Sequence, residues 1–171
     1  DLNMAPEMVL AIARRESEFD PVVQSHVGAR GLMQLMPGTA DDVARDLGIS
    51  ALHTTDRLTA DPDYNARLGS EYLSQMAKRF NGNVVMVSAA YNAGPTRPPR
   101  WMDDYGDPRE GDIDIVDWIE MIPFRETQNY VMRVTESLPV YRARLGKDPL
   151  PQLFSKELTG STLLPFAPKR E

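Results

Sequence analysis

Between Asp61-Pro62 and Asn81-Gly82 the apolar residues Leu68, Tyr72, Met76 and Phe80 recur at every fourth position. That period marks one face of a helix, and the bracketing dipeptides are start and stop signals, so the spacing predicts one long helix. The same grammar repeats along the chain. Pro6 suits the first turn of a helix running to about Phe19, where Asp20-Pro21 ends it. Thr39, with Asp42 three residues on, reads as a capping box that opens a helix to about Leu47. Val84, Val87, Ser88 and Tyr91 share one face of a helix broken by Asn92-Ala93-Gly94-Pro95. A short helix at Ile113–Met121 and a long one from about Arg125 to Leu145 follow, the latter with a kink expected at Pro139. There is no internal repeat and no convincing run of alternating residues. The fold class is all-α.

Three stretches break this pattern. Gly28, Gly31 and Pro37-Gly38 bracket the segment Leu32–Met36, a glycine-punctuated loop. Thr96 to Asp112 is rich in Pro, Arg, Asp and Gly and reads as an irregular loop. Gly146–Glu171 has four prolines and weak periodicity. It reads as an extended tail lying on the domain, with Leu153, Phe154, Leu163, Leu164 and Phe166 as anchors. The expected organisation is therefore one domain over 1–145 and a packed tail over 146–171.

Composition removes several function classes. The chain has 171 residues, 42% hydrophobic and 26% charged, within the range of a globular domain with a core of its own. A net charge of −6 argues against a nucleic-acid partner, which calls for a basic surface. There is no cysteine, and His26 and His53 lack metal-ligand partners at a recognised spacing, so neither thiolate chemistry nor a zinc site is expected. No run approaches the ~18 apolar residues of a membrane span. A chain that opens at Asp1, a few residues before a helix, is expected to be a processed or excised domain, the end of something longer, with an N-terminal domain as one candidate for what precedes it.

One acid stands out. Val9, Ile12, Ala13, Glu16 and Phe19 fall on a single helical stripe, four apolar side chains and one carboxyl. A carboxylate there either lies at the stripe's edge and reaches solvent, or is paired, or has a raised pKa. The last state is the one a general acid needs. Three other polar features stand at breaks between helices. Gln34, between Met33 and Met36, belongs either to a loop closing the core or to a binding loop. Tyr91-Asn92 is either a core tyrosine with a helix stop or part of a site. Glu126 near the start of the last long helix either complements the helix dipole or faces a ligand. Trp101, Tyr105 and Trp118 offer stacking surfaces, with Trp118 equally suited to the core. Arg97 and Arg100 face either an anionic group or solvent.

Taken together, four strings resemble the catalytic domain of soluble lytic transglycosylases, a lysozyme-like superfamily related to goose-type lysozyme. They are Ala11–Ser17 (AIARRES), Ser25–Pro37 (SHVGARGLMQLMP), Ala89–Pro95 (AAYNAGP) and Ile119–Thr127 (IEMIPFRET), in the family's order and spanning roughly Pro6 to Leu145. The resemblance implies an α-helical lysozyme-like fold with a groove for a peptidoglycan glycan strand, and therefore a place in the periplasm or cell envelope. It implies Glu16 as catalytic acid and then base, with no metal or other cofactor. Gln34 and Tyr91 match residues that hold the sugar and help position the acid. Ser25, Met36 and the backbone around Ala90 match positions lining the groove, and Glu126 matches a second acidic residue on the opposite side of the site. The chain departs from the pattern twice. Thr96, soon followed by Pro98-Pro99, replaces a glycine, and Gln128 replaces an arginine after Glu126-Thr127. The first departure bears on the groove edge and the second on the surroundings of Glu126; neither touches Glu16.

The implied reaction cleaves the bond between N-acetylmuramic acid and N-acetylglucosamine and closes a 1,6-anhydro ring on the muramyl unit. A hydrolytic muramidase, a non-catalytic glycan-binding module and a helical interaction domain are the competing readings. The Gly-Leu-Met-Gln and Ala-Tyr-Asn-Ala-Gly-Pro strings favour the transglycosylase by resemblance.

Overall fold

The computed structural model describes residues 2–163. Among them there are no strands, only isolated bridges that join Arg30 to Gln24 and to Leu35. The expected helices are present as α1 (Pro6–Ser17), α2 (Pro37–Asp46), α4 (Pro62–Arg79), α5 (Val84–Ala93), α7 (Ile115–Met121) and α8 (Arg125–Arg144). Three further helices, α3 (Arg57–Ala60), α6 (Arg97–Tyr105) and α9 (Phe154–Thr159), lie in segments not read as helical from the sequence. No helix of the described residues is long and apolar enough to cross a membrane.

Several local expectations are corrected. Helix α1 stops at Ser17, because Glu18 and Phe19 both take left-handed backbone (φ 52° and 68°), so Phe19 leaves the stripe and is exposed. Thr39 does not cap α2. Pro37 holds the first helical position, where its missing N–H costs nothing, and Thr39 falls inside the first turn. The segment expected to be an irregular loop contains α6, which accommodates Pro98-Pro99 because first-turn N–H groups have no partner within the helix. The final segment is not wholly extended, since α9 lies within it. Of its expected anchors Leu163 is buried, Leu153 and Phe154 are exposed, and Leu164 and Phe166 lie outside the described residues. Pro139 lies inside α8, which is continuous over Arg125–Arg144, as the sequence suggests.

The chain divides between Ser74 and Gln75, inside α4, into two compact units. In the first, Leu35, Ala40, Val43, Ala44, Leu58, Tyr64 and Leu68 form a buried cluster fringed by Leu47, Ile49 and Tyr72. His53 is tucked against this cluster, its Nδ1 2.8 Å from the Tyr64 hydroxyl and its Nε2 3.2 Å from an Asp41 carboxylate oxygen. In the second unit α5 is apolar almost all round and is the central element. Its residues Val84 to Ala90 are buried, with α8, α6 and α9 packed about it. Asn83 caps α5 by accepting the Met86 N–H, and its amide nitrogen donates to the Leu158 and Gly160 carbonyls at the end of α9. Glu157, Leu158 and Leu163, after α8, are thus buried in this unit.

Candidate active site

Glu16, Ser25, Gln34 and Met36 all belong to the first unit. Glu16 is half-buried in the last turn of α1. The next residue, Ser17, is buried, and its hydroxyl lies 2.7 Å from the Leu32 carbonyl and 3.1 Å from that of Ala13. The end of the helix and the glycine-punctuated loop are therefore joined one residue from the Glu16 carboxyl. Phe19 is not beside it on a shared apolar stripe; Val9, Ile12 and Ala13 are the buried neighbours on that face.

The loop is braced from within. The Ser25 hydroxyl accepts the Ala29 N–H at 3.0 Å, which leaves its own proton for another partner. Gln34 sits at φ 49°, and its Nε2 donates to the Val23 carbonyl (3.1 Å) and the Gly31 carbonyl (2.9 Å). Two carbonyls on one side settle which end of the amide is nitrogen, so Oε1 faces away from them and is oriented as an acceptor. The flanking methionines part company: Met33 is fully buried against Gly69, whereas Met36 is 43% exposed and offers apolar surface.

Sequence reasoning missed the residue that holds this loop. Asn65 on α4 is fully buried; its Oδ1 accepts the Met33 N–H (2.8 Å), and its Nδ2 donates to the Arg30 and Leu58 carbonyls (2.9 Å each). Gly31 fits only because it lacks a side chain: at φ 76° an added Cβ would lie 2.1 Å from the Leu58 carbonyl oxygen and 2.4 Å from Asn65 Nδ2. The signal was available as a polar residue three positions before Leu68, on the oily side of α4, the same kind of anomaly that marked Glu16.

Ala90, Tyr91 and Glu126 belong to the second unit. Ala90 has its side chain in the core, and its carbonyl accepts the Gly94 N–H that ends α5. Tyr91 is half-buried one residue further on. Asn92 Nδ2 lies 3.2 Å from Glu126 Oε1, and Thr127 donates its hydroxyl to Asn92 Oδ1 at 2.7 Å. Gln128, the residue that departs from the expected arginine, donates its Nε2 to the Glu120 (2.6 Å) and Ile122 (2.8 Å) carbonyls at the end of α7. A neutral amide thus occupies the position by capping a helix end.

Trp101 is not the stacking platform expected of it, and of the two readings of Trp118 the core one holds. Trp118 and Trp101 are both buried, edge to face at 6.3 Å, and Trp101 in turn meets Phe124 at 5.7 Å. Phe124 is the ring that reaches the surface, 39% exposed, with the Arg97 guanidinium 5.0 Å from its centre. No group of three His, Asp or Glu side chains among the described residues could hold a metal ion.

Residues 1–112 match the family described as the transglycosylase SLT domain. The chain belongs to that family. It is 41% identical over 140 residues to the soluble lytic murein transglycosylase of Escherichia coli K12, an alignment covering 82% of this chain and 21% of that protein. It is 34% identical over 99 residues to the transglycosylase of Enterobacteria phage PRD1, over 58% of this chain and 32% of the phage protein. Among solved structures, the 70-kDa soluble lytic transglycosylase SLT70 of E. coli superposes with a TM-score of 0.77 at 40% identity, over 84% of this chain and 22% of that one. An inactive Glu-to-Gln mutant of the lytic transglycosylase Slt from Pseudomonas aeruginosa superposes with a TM-score of 0.75 at 43% identity, over 87% and 23%. This SLT domain therefore shares the all-α fold of SLT70, and the chain spans about a fifth of the length of its E. coli relative.

Proposed function

We propose that this SLT domain is a peptidoglycan lytic transglycosylase that breaks the β-1,4 bond between N-acetylmuramic acid and N-acetylglucosamine without consuming water. The observation that carries the reading is the setting of Glu16: a half-buried carboxyl in the last turn of α1, beside a serine that ties that turn to the Gln34 loop. The relative from P. aeruginosa is inactive with a single glutamate changed to glutamine, which supports a single essential glutamate here.

Glu16 starts protonated and gives its proton to the glycosidic oxygen as the bond to the muramyl C1 breaks. Most glycosidases supply a second carboxyl for the positive centre that develops. Here the acetamido group of the muramyl unit takes that part. Glu16, now ionised, removes the proton of the muramyl 6-hydroxyl, whose oxygen bonds to C1 and closes the 1,6-anhydro ring. The proton is back on Glu16 and the cycle balances. Attack from within the same sugar carries a large entropic advantage over attack by a separate molecule.

Gln34 Oε1 is oriented to accept from a sugar hydroxyl or acetamido N–H, and Tyr91 holds the sugar from the end of α5. Met36 supplies apolar contact, Ser25 and the backbone around Ala90 line the groove, and Glu126 binds substrate as the second acid. Peptidoglycan lies outside the cytoplasmic membrane, which places the domain's work in the periplasm or cell envelope.

Mass spectrometry of products released from purified peptidoglycan tests the assignment, with Glu16→Gln run beside the native chain. Muropeptides one water lighter than hydrolysis products, absent with the variant, are expected. Reducing-end products would make it a muramidase, and no release by the native chain would make it a glycan-binding module.

A further inference from the structure

The Ala-Tyr-Asn-Ala-Gly-Pro string ends α5, yet Asn92 is not what ends it. Gly94 supplies the positive φ (95°) and donates its N–H to the Ala90 carbonyl, which leaves the Asn92 side chain without a role in stopping the helix. That side chain instead spans to the first turn of α8, the helix packed against α5. We propose that Asn92 is a positioning residue for Glu126, holding its carboxylate ready for substrate, and that Thr127 sets which way the Asn92 amide faces. The inference rests on the reading of Glu126 as a substrate-binding residue.

The direction of each bond follows from what its partners can do. An amide has nearly the same shape with its oxygen and nitrogen exchanged, so its neighbours decide the orientation. An ionised carboxylate only accepts, and Glu126 Oε1 therefore requires the Nδ2 end, 3.2 Å away. Thr127 is 2% exposed, so its hydroxyl has to find an acceptor inside the protein, and Asn92 Oδ1 at 2.7 Å is that acceptor. The buried threonine thus fixes the amide, and the amide fixes one oxygen of the glutamate. Oε2 remains for a donor on the substrate.

The arrangement matters because Glu126 is exposed. A surface glutamate samples many rotamers, and binding that has to order it loses affinity. Ordering it beforehand moves that cost into folding. Gln128, immediately after Thr127, holds the end of α7 through two carbonyls, so consecutive residues of α8 fix Asn92 and a neighbouring helix end.

The test is steady-state kinetics on a soluble oligomer of alternating N-acetylglucosamine and peptide-bearing N-acetylmuramic acid. Asn92→Ala should raise KM about 3- to 10-fold and leave kcat nearly unchanged, the size of one ordinary, solvent-accessible hydrogen bond. Combined with Glu126→Ala it should add little, because without the carboxylate Asn92 has nothing to position. Asn92→Asp sets a second carboxyl against Glu126, which raises the pH at which one of the pair takes a proton. The acid limb of the KM–pH profile should therefore move to higher pH, a displacement that a merely structural asparagine would not produce. Thr127→Val should reproduce part of the KM effect in a chain of unchanged volume, and Thr127→Ser should restore it.

If Glu126→Gln raises KM while the Asn92 and Thr127 variants match the native chain in KM and pH profile, the positioning role is wrong and Glu126 acts alone. If Glu126→Gln itself leaves KM unchanged, the reading of Glu126 fails, and the inference falls with it.

Discussion

The Ser17 hydroxyl lies 2.7 Å from the Leu32 carbonyl, so the residue after Glu16 joins the end of α1 to the loop that carries Gln34. Ser17 is 8% exposed, and without it the Leu32 carbonyl loses a donor in a poorly hydrated place. Ser17→Ala should cost about 1–3 kcal/mol. In a chain of this length that lowers the melting temperature by roughly 2–4 °C per kcal/mol. Turnover of peptidoglycan should also fall well below the melting temperature, because the Glu16 turn loses its tie to the loop. A thermal melt and a product assay read the two effects separately, and an unchanged melt would mean that the bond contributes nothing.

Asn65 supports the same loop from behind, with all three of its side-chain hydrogen bonds made to backbone groups. Asn65→Leu removes them together and strands the Met33 N–H and the Leu58 carbonyl, while the Arg30 carbonyl keeps the Leu35 N–H, so a loss of about 2 kcal/mol or more is expected. Gly31→Ala should be of similar severity, because its Cβ would collide with the Leu58 carbonyl and with Asn65 itself. Chemical denaturation measures both. A mild effect for Gly31→Ala would mean that the loop relaxes where the structure shows no room.

Much of this was legible in the chain, and the reasons for the rest are physical. The α4 period and the Asp-Pro and Asn-Gly signals delimit that helix to within a residue, since long amphipathic helices leave a strong local pattern. The four strings located Glu16, Gln34, Tyr91 and Glu126 as candidates. The helix α6 was hidden by its own prolines, which mark a loop by composition and become harmless at a helix start. Phe19 was misplaced because two non-glycine residues in left-handed backbone cannot be read from a stripe. Trp101 looked like a binding platform in a polar stretch, and only packing against Trp118 and Phe124 puts it inside. The oily-face position of Asn65 could flag that residue, but its links to the loop, like that from Asn92 to Thr127, span 32 to 35 positions, so no local pattern names the partners.

Asp107 gives a pH test. The Arg109 guanidinium beside it, at 2.6 Å, holds its carboxyl below the ordinary value of 3.8, with the Arg109 N–H adding to the effect. A carboxyl whose pKa is depressed by folding adds stability above its unfolded value and loses it as pH falls through the folded one. Asp107→Asn should therefore melt below the native chain at neutral pH, and the gap should close as the pH is lowered past 3.8. A gap that persists undiminished in acid would assign the effect to packing instead of charge.

Arg142 on α8 and Glu157 on α9 form a buried ion pair in the second unit, with side chains 9% and 0% exposed. Arg142 Nη1 donates to Glu157 Oε2 at 3.0 Å and to the Pro149 carbonyl at 3.3 Å, while Nη2 faces the other carboxylate oxygen. Taking two charges out of water is costly, and removing one partner leaves the other buried without compensation. Glu157→Ala should therefore cost about 3–5 kcal/mol. Arg142→Met with Glu157→Leu should cost much less than either single change, because it removes both charges and keeps the volume. The damage from the single change should reach α5, whose cap Asn83 is held by carbonyls just beyond Glu157. Hydrogen exchange on the first turn of α5 should accelerate in Glu157→Ala and stay protected in the double variant. Equal losses for single and double variants would mean that the pair acts through its shape and not its charge.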